Sequence, residues 1–169
     1  MKKRKIFAAC LALLILLQLF AGCAALRYDA KLYSYANGWI DEAFLDENRV
    51  KGAFYLAKAT WYGEADWQRD EESPSARTFI ITSEEEYTEI FTNSPPSIDF
   101  EKRMAILYVF ADCSPRDYRL KGMKVDGSVL TVKVKLENRW GNDATMPYAR
   151  CFLLVMKKME ITEVVFEEK

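Results

Sequence analysis

Apolar and polar positions alternate along most of this chain with the period of a strand. The clearest case is 129–136, where Leu130, Val132, Val134 and Leu136 fall on one side and Thr131, Lys133 and Lys135 on the other. Such a period of two gives one core face and one wet face. The stretch 104–111, MAILYVFA, is apolar without interruption, as a strand buried on both faces requires. Further strands are expected at 53–62, 77–82, 118–125, 149–156 and 161–166. Asp126-Gly127 between two of them is a strong hairpin signal.

Helical spacing is rarer. Ser83 followed by Glu86 is a capping-box signature, and Tyr87, Ile90 and Phe91 then share one face of a short helix that Ser94-Pro95-Pro96 terminates. Apolar residues at 39, 40, 43 and 44 suit a short amphipathic helix over 39–45. The expected class is α+β: a compact β-rich domain of about seven mostly antiparallel strands with one well-supported short helix.

The N-terminus follows another pattern. Met-Lys-Lys-Arg-Lys precedes the apolar run Ile6–Phe20, and the small residues Ala21 and Gly22 lead into Cys23. About 15 apolar residues suit a signal-peptide core and fall short of the roughly 20 needed to span a bilayer. The stretch Leu19-Phe20-Ala21-Gly22-Cys23 resembles the bacterial lipobox, which implies that Cys23 is diacylated and becomes the first residue of the mature protein. Two acyl chains anchor stably where one holds only marginally. The expected organisation is a lipoprotein signal peptide at 1–22, a tether with a short amphipathic helix at 23–50, and a single globular domain at 51–169. The expected location is the extracytoplasmic face of a bacterial cell membrane, with membrane lipid as one partner through Cys23.

Charge and composition narrow the chemistry. Four of the 24 basic residues and none of the 25 acidic ones lie in the leader, so residues 23–169 carry an acidic excess. No basic stripe is available for phosphate contacts, and nucleic acid is not an expected partner. Histidine is absent, which removes the commonest general base, the His-assisted nucleophiles and the usual zinc ligand. No two acids stand at a recognisable catalytic spacing, so no enzyme, cofactor or metal is expected. Cys113 and Cys151 remain once the leader is removed and Cys23 is acylated. In an oxidising compartment they either form a disulfide or stay as two unpaired thiols.

Two loops carry candidate contact residues. The acidic stretch 64–72 holds Trp67 among Glu64, Asp66, Asp70, Glu71 and Glu72, and its spacing matches no EF-hand. It reads as a solvated surface loop or as a contact surface. The stretch 138–143 combines Arg139, Trp140, Asn142 and Asp143. Arg and Trp are enriched at interface hot spots, and Trp140 would equally serve as a core cap.

From residue 77 onward the order of elements is a strand, a Ser-capped helix, Ile98-Asp99-Phe100, a buried strand, Tyr118, an Asp-Gly hairpin, and Met146-Pro147-Tyr148 before an apolar strand. That order resembles the C-terminal domain of the PrcB-like (protease complex subunit) lipoproteins and small uncharacterised Gram-positive lipoproteins. The resemblance implies a compact β domain whose partner is another exported protein, a protease in the named case. Where that family has a Thr-Gly-Gly-Tyr turn, this chain has Ser114-Pro115-Arg116-Asp117-Tyr118, keeping the tyrosine without the glycines. The expected function is a membrane-anchored, non-catalytic protein-binding or assembly module, with a small-molecule or peptide binder as the alternative.

Overall fold

A computed structural model describes residues 28–59, 65–137 and 144–168. Nine strands form three sheets among these residues: β1 (Lys31–Tyr33), β2 (Phe54–Ala59), β3 (Ala65–Arg69), β4 (Ala76–Ile81), β5 (Arg103–Asp112), β6 (Tyr118–Asp126), β7 (Val129–Leu136), β8 (Tyr148–Lys157) and β9 (Glu163–Glu168). The helices are α1 (Glu42–Glu47), α2 (Glu84–Ile90) and a single 3-10 turn at Asn37–Trp39. No described helix is long and apolar enough to cross a membrane.

The central sheet has the order β1-β8-β5-β4 and is antiparallel throughout. Its middle strands β5 and β8 are buried on both faces, which explains the apolar runs at 104–111 and 151–156. Ala105, Leu107, Val109, Cys151, Leu153 and Val155 pack on one side with Ile40, Val50, Tyr55 and the apolar residues of α2. Met104, Ile106, Phe152, Leu154 and Met156 pack on the other against Leu130, Val132 and Val134 of the β6-β7-β9 sheet. The result is three layers: helices with the β2–β3 hairpin, the central sheet, and the second sheet.

Local chemistry accounts for the elements. Gly127, with φ +60°, takes the first central position of the two-residue loop that joins Asp126 to its partner Val129. Ser128 keeps a negative φ, as the type II′ pattern requires. The capping box at α2 is present, with Ser83 Oγ accepting from the Glu86 N–H and the Glu86 carboxylate accepting from the Ser83 N–H. The Thr82 N–H donates to the same carboxylate at 2.8 Å, and this bond chiefly holds the Glu86 carboxyl below its ordinary value. That contribution is fully present above pH 4.5, the ordinary glutamate value, and is lost as pH falls through the lowered folded-state value. Ser83→Ala is expected to cost about 1 kcal/mol in urea denaturation, and an unchanged midpoint would show the cap to be idle.

Three expectations need correction. Strand count rises from about seven to nine because β1 and β3 carry no alternation to read. β1 has only three residues, and β3 (ADWQR) is a strand by virtue of its pairing with β2. Residues 28–50 are part of the globular domain and do not form a tether. β1 pairs with β8, the Ala36 N–H donates to the Cys151 carbonyl at 2.9 Å, and Ala36, Ile40 and Val50 are buried. The helix expected over 39–45 begins later. Asp41 accepts from the N–H groups of Ala43 and Phe44 and so fixes the start of α1, while Ile40 is extended and bridges to Phe91. Among the described residues the one parallel pair, β7 with β9, joins strands that are not consecutive in the chain.

Candidate functional site

The sequence places one charge inside an apolar strand, and the structure builds a site around it. Arg150 lies in β8 and is completely buried. Its five N–H donors all find acceptors. Nε and one Nη2 proton go to the Ser34 carbonyl at 3.2 and 3.0 Å, and the other Nη2 proton goes to the Arg116 carbonyl. Nη1 donates to Asp112 Oδ2 at 3.1 Å and to the Ser114 carbonyl. The guanidinium also lies 4.9 Å from the Tyr118 ring centroid and 5.7 Å from that of Phe152, both within cation–π range.

These contacts stitch three separate segments together at the end of the sheet where β5 stops and β8 starts. Asp112 Oδ1 accepts from the Ser114 N–H at 2.9 Å, Ser114 Oγ accepts from Arg116 Nε at 2.9 Å, and the Tyr148 hydroxyl donates to the Ser114 carbonyl at 3.0 Å. The Tyr118 hydroxyl donates to Asp112 Oδ2, and burial, followed by the Asp112 charge, raises its pKa well above the usual tyrosine value. The loop 113–117 is therefore held by side-chain bonds from within the protein. With all its donors committed inside the protein, Arg150 has none left to offer a ligand. It is a pedestal.

Five large hydrophobic residues are exposed among the described residues: Tyr35, Leu56, Trp67, Met146 and Val165. Tyr35 sits beside Arg150, and Met146 precedes Pro147, whose carbonyl accepts from the Phe54 N–H at the base of the β2–β3 hairpin. Leu56 and Trp67 are direct cross-strand partners on that hairpin. They border a groove of about 450 Å³ with Leu45, Phe54, Tyr55 and Ala149, which Glu42 and Asp46 also line.

Of the contact residues expected from sequence, Trp67 is thus an exposed member of this surface, on a strand where a loop was expected. Arg139, Trp140, Asn142 and Asp143 lie outside the described residues, as does Cys23. Cys113 and Cys151 are free thiols. Cys151 pairs in register with Val109, four residues or roughly 13 Å of strand before Cys113, whereas a disulfide needs Cα atoms within about 7 Å. Burial pushes the Cys151 thiol up to about 12. Iodoacetamide at pH 8 is accordingly expected to label Cys113 in the folded protein and Cys151 only after denaturation. Equal labelling rates would contradict this placement.

Sequence reading gave no role to Arg150, Asp112, Tyr35, Leu56 or Met146. The available signal was the isolated arginine in YARCFLLVM, because an arginine within a buried strand has to be paired. Among the described residues no group of three or more Cys, Asp or Glu side chains comes together in a way that could hold a metal ion. Comparison of the chain with family models, with curated proteins and with solved structures returns no match.

Proposed function

We propose that this chain is a lipid-anchored extracytoplasmic binding module that engages another exported protein through the apolar surface at the loop end of its central sheet. The observation that carries the reading is the exposed cross-strand pair of Leu56 and Trp67, which borders a groove and sits on a hairpin whose base is hydrogen-bonded to Pro147. Interfaces draw most of their energy from a few large side chains held over such a base.

The anchor supports the same orientation. Acylation at Cys23 leaves four residues, 24–27, before Tyr28. The Tyr28 carbonyl accepts from the Lys157 N–H and Asp29 pairs with Arg103, so the described chain begins at the opposite end of β5 and β8. The ten residues of β5 separate that end from Asp112 by about 30 Å. A short tether thus holds one end near the bilayer and presents the other outward. The absence of histidine and the internal use of Arg150 favour binding over catalysis. The element order shared with PrcB-like lipoproteins supports a protease as the partner.

Crosslinking capture from cells carrying the anchored protein tests this reading. One exported protein should be recovered repeatedly from the native chain and lost with Leu56→Ser/Trp67→Ala, while each exposed substitution shifts stability by only about 0.5 kcal/mol. Recovery of membrane components alone, or capture unaffected by the double substitution, would refute it. The 450 Å³ groove beside Trp67 favours a second reading, a small apolar or peptide ligand, which would show as a ligand-dependent rise in Tm.

A further inference from the structure

The central sheet ends on β4, whose outer side pairs with no described strand. Exposed strand edges are usually blunted by bulges, by lysines or by shortness. The other sheets show such devices, with bulges at Leu120/Gly122 in β6 and Leu56/Lys58 in β2, Lys121 and Lys124 on β6, and three glutamates on β9. β4 (ARTFII) has an unbroken six-residue register with β5 and a single charge, Arg77, whose Nε donates to the Arg49 carbonyl at 2.9 Å. Its alternate residues direct N–H and C=O groups away from β5, as any antiparallel edge does.

A groove of about 420 Å³ lies along this edge. Thr78 and Ile80 project from one face of β4 and Phe79 and Ile81 from the other. A cavity that touches all four therefore runs beside the strand. Phe44 of α1 and Ile90 of α2 extend its apolar lining, and Glu89 and Glu86, whose carboxylate caps α2, also line it. None of the described residues lining it is basic. α2 carries Glu84, Glu85, Glu86 and Glu89 and no cation. A second copy of the chain paired β4 to β4 would bring these acidic helices toward one another, which disfavours self-association.

We propose that β4 is a strand-addition site for an extended peptide segment bearing lysine or arginine among β-branched residues. Its main chain would extend the sheet, an apolar side chain would fill the groove against Phe44, Phe79 and Ile90, and a cation would meet Glu89. Main-chain pairing supplies affinity and alternate side-chain pockets supply selectivity in this mode. The site lies apart from the loop-end surface and does not depend on it.

The test uses the full chain in non-ionic detergent, titrated with a fluorescent peptide of about eight alternating valine and lysine residues and followed by anisotropy. Saturable binding with a Kd below about 1 mM is expected. N-methylation of alternate peptide amides, which removes ladder donors and preserves charge, should weaken it about tenfold or more. Glu89→Lys should weaken it about threefold. Failure to saturate, equal binding of the N-methylated peptide, or equal binding of a valine–glutamate peptide would overturn the proposal. Sedimentation showing a dimer that the peptide dissociates would assign the edge to a second copy, and would overturn it too.

Discussion

Arg150→Met is expected to destabilise the protein by about 3–5 kcal/mol, because removing one partner of a buried pair strands the other. Methionine fills much of the space but donates nothing. Asp112 Oδ2 and the carbonyls of Ser34, Ser114 and Arg116 would lose their arginine donors together. Measured by denaturant titration, the loss is a large fraction of a domain's total stability, which is roughly 5–15 kcal/mol. Tm should fall by about 10 °C. Removing the stranded charge as well, in Arg150→Met/Asp112→Asn, should recover part of the loss, giving a clear coupling energy in a double-mutant cycle. A single-variant loss below about 1 kcal/mol would mean that the guanidinium does not hold the loop end together.

Phe152→Ala should be nearly as damaging, at about 3–5 kcal/mol. The ring is almost wholly buried between the central and second sheets. It lies 4.8 Å from the Phe110 centroid and 5.0 Å from that of Tyr118, with Tyr108 and Phe166 each 6.2 Å away. Alanine would leave a cavity that these rings, fixed on three different strands, are poorly able to close. Phe152→Leu keeps most of the volume and should cost less than about 1.5 kcal/mol. Phe152 and Arg150 both contact Tyr118, so combining their substitutions should give less than the sum of the two. Strict additivity would show the aromatic layer and the arginine network to be independent.

What was legible in the sequence was what local pattern controls. The alternation at 129–136, the apolar run at 104–111, the Asp126-Gly127 turn and the Ser83–Glu86 box each state their structure within a few residues, and each is found. β1 and β3 were not legible, since a three-residue strand and a polar hairpin arm exist only through their partners. The Arg150 site was hidden for a related reason. Its acceptors on Ser34 and Ser114 lie 116 and 36 residues away in the chain, and only the sheet brings them together. Leu56 carried no signal within its expected strand, and Trp67 stood as a candidate contact residue in an acidic loop. Their exposure side by side became visible only with the β2–β3 register.

The most direct measurement is site-specific photo-crosslinking of the anchored chain in its own membrane, with a benzophenone side chain placed in turn at Trp67 and at Lys102. In the proposed orientation Trp67 faces away from the bilayer, and Lys102 is exposed at the end of β5 nearest Tyr28. A protein adduct from position 67 together with lipid adducts from position 102 is the result expected. Lipid adducts from position 67, or protein adducts from position 102 alone, would reverse the orientation and contradict the loop end as the partner-binding surface.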